Sequence, residues 1–200
     1  MTKKILITGA NGQLGHEMRN ALKGNNRFEC IFTDVAELDI CNAEAVKQTI
    51  ADNHIDYIVN CAAYTQVDKA EDNAELCRKI NTDAVENLAR AAATYGARMI
   101  HISTDYVFNG RGYRPYTEAM TPDPQSVYGS TKLEGEKILT DICPESIIIR
   151  TAWLYSPYGN NFVKTMLHLG KEREELSVVS DQIGTPTCAA DLAQAILVIL

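Results

Sequence analysis

Apolar positions along this chain gather into short continuous runs, and each run is followed by a stretch whose apolar residues recur at helical spacing. Continuous apolar runs bounded by Gly, Asp or Asn suit strands buried on both faces, while recurrence every three to four residues suits helices with one covered face. The pattern predicts strands at Ile5–Thr8, Phe28–Thr33, Asp56–Cys61, Arg98–Ser103, Ser146–Thr151 and Leu176–Ser180. It predicts helices over Gln13–Leu22, Ala43 to Asp52 with Asn42 as cap, Ala74–Tyr95 stopping at Gly96, Val127–Thr140, Phe162–Lys171, and Cys188–Leu200 with Thr187 as cap. The stretch Asn109–Gln125, rich in Gly, Pro, Tyr and Thr, reads as a long loop, a kind of segment that often carries function in compact domains.

Strands alternating with helices imply an α/β fold, a parallel sheet covered on both faces. A glycine turn directly after the first strand narrows this to the doubly wound nucleotide-binding (Rossmann) form. The length, 200 residues, suits one such domain over 1–200. The chain is apolar through Ala195–Leu200, and native termini are usually polar, so more protein is expected beyond it.

Composition removes several classes. An apolar content of 46% with 22% charged residues is that of an ordinary globular core. A net charge of −7 argues against a nucleic-acid footprint, without excluding anionic ligands at helix ends. The cysteines are scattered with no Cys-x-x-Cys, and the histidines are dispersed, so the reading is reduced thiols, a cytoplasmic setting and no metal site. The opening Met1-Thr2-Lys3-Lys4 and the few apolar residues before Gly9 lead to the expectation of no leader peptide, and no apolar run reaches membrane-spanning length.

The chemistry starts at the glycines. Gly9, Gly12 and Gly15 allow a tight turn, a close approach of pyrophosphate to backbone, and tight packing of helix on strand. Asp34 ends the second strand, where an acid accepts hydrogen bonds from an adenosine ribose, and no arginine follows it to meet a 2′-phosphate; this leans toward NADH. Asp39 and Ile40 fall where an adenine edge could be read, or form a solvated turn. The small residues of Asn60-Cys-Ala-Ala-Tyr-Thr65 let a dinucleotide come close, or serve packing alone.

The second half of the chain carries Tyr128 and Lys132, one helical turn apart on one face. A lysine charge beside a phenol favours phenolate, which is expected to pull the tyrosine pKa from about 10 toward neutrality. Ser103-Thr104-Asp105 ends the fourth strand at the same sheet edge, where a hydroxyl could hydrogen-bond a substrate oxygen or simply cap the strand. Together, the turn, the strand-end hydroxyls and the Tyr/Lys pair point to hydride chemistry with a nicotinamide cofactor.

Gly-Ala-Asn-Gly-Gln-Leu-Gly, Ser-Thr-Asp-Tyr-Val-Phe and Tyr-Gly-Ser-Thr-Lys resemble the extended short-chain dehydrogenase/reductase family. Val59–Glu71, Arg150–Tyr155, Asn160–Met166 and Ser180–Thr187 extend the likeness to its dTDP-4-dehydrorhamnose reductase family, from residue 3 onward. The resemblance implies reduction of dTDP-4-dehydro-L-rhamnose by NADH or NADPH, within dTDP-rhamnose and cell-surface polysaccharide synthesis. It implies Tyr128 as proton donor, Lys132 on the nicotinamide ribose, and Thr104 orienting the carbonyl. Gly12, Gln13, Leu14, Asp34, Asp39, Ile40, Ala63, Tyr64, Thr65 and Ile102 match cofactor-contacting positions, and Asp105 and Trp153 match sugar-nucleotide contacts. It implies a C-terminal substrate lobe largely absent from this chain, and it allows a homodimer. Some members dimerise through magnesium held by glutamates; Glu17 matches one such position but Ala190 stands at another, so no metal is expected.

Two rivals remain at this level. A nucleotide-sugar epimerase or dehydratase shares the cofactor half, although dehydratases place acidic residues after the threonine and here Thr104-Asp105 is followed by Tyr106. A non-catalytic regulatory subunit like that of methionine adenosyltransferase shares the fold, but it has no need of Tyr128, Lys132 and Thr104.

Overall fold

The computed structural model describes residues 2–200. In chain order the elements are β1 (Lys3–Thr8), α1 (Gln13–Ala21), β2 (Phe28–Thr33), α2 (Ala43–Asn53), β3 (Tyr57–Asn60), α3 (Val67–Asp72), α4 (Ala74–Arg78), a π-helical turn (Lys79–Asp83), α5 (Ala84–Tyr95) and β4 (Arg98–Thr104). A single 3₁₀ turn (Asp105–Val107) is followed by α6 (Val127–Ile142), β5 (Ile147–Thr151), β6 (Leu154–Tyr155), α7 (Phe162–Glu172), β7 (Thr187–Cys188) and α8 (Ala189–Ile199). Five strands form one parallel sheet in the order β2-β1-β3-β4-β5. The winding direction reverses between β1 and β3, and such a reversal opens a crevice at the carboxyl ends of the strands.

Alternation along the strands divides the core into two layers. Leu6, Ile58, Met99 and Ile148 face α2, α5 and α6, while Ile5, Ile7, Val59 and Ile100 face α1 and α8. Expected boundaries hold where local chemistry sets them. The Asn42 side chain accepts from Ala45 N and caps α2, and α5 ends at Gly96 with φ +72°, the left-handed conformation that favours glycine.

Three expectations are corrected. Leu176–Ser180 forms no strand; Val178 and Val179 are exposed, and a strand is held by a partner's ladder rather than by its own apolar pattern. The strands that do pair in this part of the chain are the short parallel β6 and β7, which lie on either side of that run in sequence. Thr187 lies in β7 and does not cap the last helix, whose cap position is Cys188. The helix expected over Ala74–Tyr95 is interrupted by the π turn, and α3 precedes it. The widened turn brings Asn81 and Thr82 inward onto α6, where Thr82 Oγ1 donates to the Thr131 carbonyl at 2.9 Å.

Candidate active site

The glycine turn is held open by contacts no side chain could survive. Gly9 has φ +63°, and a Cβ there would lie 2.6 Å from Ala62 N at the end of β3. A Cβ on Gly15 would lie 2.4 Å from the Gly9 carbonyl oxygen. The turn therefore folds flat between β1, β3 and α1, at the point where the sheet winding reverses. The cap position of α1 is Gly12, with no side-chain cap, so the first amides of the helix lack a side-chain acceptor, the condition that suits a helix start to an anion. Asp34 accepts from Asn11 N at 2.9 Å and from Val35 N at 2.8 Å, which ties the end of β2 to the glycine turn.

Gly9, Gly12, Asp34, Asp39, Ile40 and Ala63 line one groove of about 540 Å³. The bare helix terminus, the Cβ-free cradle and the Asp34 carboxylate have the chemistry to receive the phosphates and adenosine of a dinucleotide. Other expected cofactor residues lie elsewhere. Leu14 and Gly15 lie on the buried face of α1, with Leu14 in the core. Gln13 accepts from Asn161 Nδ2 at 2.8 Å. Tyr64 packs with Tyr128, Ala70 and Cys77. Thr65 is exposed, and Ile102 presents its carbonyl to Lys132.

Tyr128 sits in the first turn of α6, which starts where Ser126 Oγ accepts from Gly129 N at 3.1 Å. Gly129 lets this turn press onto the 3₁₀ turn that follows β4: a Cβ there would lie 2.2 Å from the Tyr106 carbonyl oxygen. The result is a buried phenol, 8% exposed, edge-on to the Tyr106 ring and beside the Thr104 hydroxyl. Thr104 Oγ1 in turn donates to Asp105 Oδ1 at 3.2 Å and accepts from Tyr106 N.

Lys132 is 1% exposed, with Nζ donating to the Ile102 carbonyl at 2.6 Å and lying 3.2 Å from His101 Nε2. Burial lowers its pKa to about 8, with Glu136 on the same helix working in the opposite direction. Burial pushes the Tyr128 phenol up to about 12, against the Thr104 hydroxyl, which favours ionisation. The expected pull of Lys132 on the phenol toward neutrality is therefore not met. The lysine head is engaged with Ile102 and His101, and desolvation governs both groups. At neutral pH the phenol keeps its proton.

Asp105, its carboxyl raised by burial, lines a larger concavity of about 870 Å³ between α6 and β5, with Phe108, Tyr116 and Arg150. Thr104, Tyr128 and Trp153 do not line it. Trp153 is not a core residue: it is 40% exposed, packs on Phe162 and over Gly184, and adopts φ +48°, a strained conformation for so large a side chain.

Sequence reasoning missed a second tier of polar residues. The Asn81 amide clamps Tyr64 reciprocally, accepting from its N–H at 2.9 Å and donating to its carbonyl at 3.1 Å. Asn60 and His101 form a buried chain that leads to Lys132. A polar residue at a core-facing strand position was the available signal: Met99 points into the core and His101, two residues on, shares its face.

A glycine cradle at the winding reversal, with a tyrosine and a lysine on the helix beside the fourth strand's end, defines the extended short-chain dehydrogenase/reductase fold. The family model described as "RmlD substrate binding domain" matches residues 3–200. The chain belongs to that family, the dTDP-4-dehydrorhamnose reductases. It is 49% identical to the dTDP-4-dehydrorhamnose reductase of Escherichia coli K12, over 94% of this chain and 64% of that one. It superimposes on the solved Clostridium acetobutylicum dTDP-4-dehydrorhamnose reductase at 52% identity and TM-score 0.95, over 98% of this chain and 69% of that one. The Bacillus anthracis dTDP-4-dehydrorhamnose reductase, solved in complex with NADP, gives 44% identity and TM-score 0.96, over 100% of this chain and 70% of that one. The chain spans 64% and 66% of the length of two curated relatives it matches. Among the described residues, no helix is long and apolar enough to cross a membrane.

Proposed function

We propose that residues 1–200 are the NAD(P)-binding domain of a cytoplasmic reductase that converts dTDP-4-dehydro-L-rhamnose to dTDP-L-rhamnose for cell-surface polysaccharides. The observation that carries this reading is the buried, protonated phenol of Tyr128 beside the Thr104 hydroxyl, on the edge of the sheet that also bears the glycine cradle.

A nicotinamide cofactor, when bound, would supply the hydride. The amides at the start of α1, with Gly9 and Gly12, hold the pyrophosphate, and Asp34 holds the adenosine ribose. Lys132 serves the nicotinamide ribose, while Thr104 orients the C4 carbonyl by donating its hydroxyl hydrogen to it and Tyr128 gives its proton to that oxygen. A phenol kept neutral by burial is suited to the role of acid. Asp105 and the exposed Trp153 face serve the sugar nucleotide. Asp34 without a neighbouring arginine favours NADH, whereas the NADP in the Bacillus anthracis relative favours NADPH.

The test follows the absorbance of NADH and of NADPH with the intact gene product and dTDP-4-dehydro-L-rhamnose, and identifies the sugar product. Consumption that requires the keto sugar and yields dTDP-L-rhamnose supports the reading. Protein that carries tightly bound oxidised cofactor and interconverts sugar epimers, or that leaves both cofactors untouched, overturns it.

A further inference from the structure

A chain of buried hydrogen bonds runs from the end of β3 through β4 to α6, and its donor and acceptor assignments close in only one way. Asn60 Oδ1 accepts from Ala62 N at 3.1 Å and from Thr8 Oγ1 at 2.7 Å. A backbone N–H can only donate, so the Asn60 oxygen must face Ala62 and its NH₂ must face His101 Nδ1, 3.1 Å away. That ring nitrogen is then the acceptor. A neutral imidazole with a bare Nδ1 carries its proton on Nε2, and Nε2 points at Lys132 Nζ, 3.2 Å away. Two donors cannot face one another at that distance. An amine satisfies the site, because its lone pair accepts from His101 Nε2–H while one of its own hydrogens goes to the Ile102 carbonyl at 2.6 Å. An ammonium has no lone pair and does not. His101 and Asn60 are fully buried, so water does not relieve the conflict.

We propose that His101 is a positioning residue whose tautomer, dictated by Asn60, favours Lys132 as the neutral amine against the Ile102 carbonyl, and strains the ammonium there, until a dinucleotide binds. The titratable groups facing the lysine are His101 from β4, Cys77 from α4 and Glu136 on α6; Asp105 and Tyr106 face Tyr128. Burial depresses both Lys132 and His101, which favours the uncharged form of each. The ribose contact needs Nζ as a donor on more than one side, so binding turns the head away from His101 and takes up a proton from solvent. This last step rests on the reductase reading; the tautomer and the amine do not.

The experiment is nuclear magnetic resonance on the isotope-labelled, cofactor-free chain. His101→Gln and Lys132→Met identify the two sets of signals. In the unsubstituted chain His101 is expected to show a protonated Nε2 and a bare Nδ1, and Lys132 to lose its proton well before the exposed lysines. In Asn60→Asp the carboxylate accepts from Nδ1–H, the tautomer switches, Nε2 becomes an acceptor, and Lys132 titrates nearer the exposed lysines. His101→Gln offers the ammonium an amide oxygen and moves Lys132 the same way without adding a charge. A protonated Nδ1 in the unsubstituted chain overturns the proposal even if no variant folds, as does a Lys132 that titrates with the surface lysines. Calorimetry of NADH binding in buffers of different protonation enthalpy supplies the second readout. Above about pH 8, uptake approaches about one proton per site in the unsubstituted chain and falls in Asn60→Asp. Failure of NADH to bind at all refutes the reductase reading and leaves the tautomer result to stand or fall on its own.

Discussion

Replacing Lys132 by methionine is expected to abolish turnover while making the cofactor-free fold more stable. The ammonium is fully buried and its pKa falls from 10.5 to about 8. At about 1.4 kcal/mol per tenfold change, the charged form is about 3 kcal/mol costlier in the folded state than in the unfolded one. Because the folded pKa lies below the unfolded one, that penalty is complete below pH 8, shrinks as pH rises, and is gone above 10.5. Methionine keeps the aliphatic packing but strands the Ile102 carbonyl, which costs about 1 kcal/mol, and at high pH it also removes the amine that accepts from His101 Nε2–H. The net gain at neutral pH is about 1–2 kcal/mol, or about 2–8 °C in Tm for a chain of this size. Thermal unfolding of both proteins at about pH 7 and about pH 10, without cofactor, measures it. The gain should vanish or reverse at the higher pH. A variant less stable at neutral pH, or a difference that does not change with pH, would refute the account of Lys132 as a strained buried base.

Tyr128→Phe removes the hydroxyl and leaves the ring packed against Tyr106; NADH binding should persist while turnover falls by about two to four orders of magnitude, and normal turnover would remove the phenol from the mechanism. Gly15→Ala drives a Cβ to 2.4 Å from the Gly9 carbonyl oxygen and 2.5 Å from Ala10 Cα, so the turn must open. A loss of about 2 kcal/mol or more in denaturant unfolding, together with weakened dinucleotide binding by calorimetry, is the expected result. Glu136→Ala strips the forked partner from Arg150, whose Nε and Nη2 donate to it at 3.0 and 2.6 Å. Because Arg150 reaches solvent, the cost should be about 2 kcal/mol, below that of a fully buried pair, and Lys132 should lose its proton at still lower pH.

Spacing alone disclosed those parts of the site whose geometry is local. Tyr128 and Lys132 share a face because helices repeat every 3.6 residues, and the glycines after β1 read as a cradle because each lacks a Cβ that would collide. The Asn42 cap and the left-handed Gly96 were legible for the same reason. The π turn was not, because Lys79–Asp83 carries no composition that separates a widened turn from an ordinary one; its stabilising bond is made to Thr131 on another helix. The run Leu176–Ser180 misled in the opposite direction, having the apolar content of a strand but no neighbouring ladder.

The order of residues was enough to set the parallel α/β architecture, the glycine turn after β1 and the shared helix face of Tyr128 and Lys132, since each follows from covalent geometry and periodicity within a few residues. The protonation states of that pair came from packing. Burying Tyr128 under the 3₁₀ turn and Lys132 against β4 removes the water that would support charge, and residues far apart in the chain, Asn60, His101 and Ile102, supply the hydrogen bonds that take its place. Local spacing brings two side chains to one face, but the dielectric and the hydrogen-bond partners around them exist only once the strands and helices have closed over them.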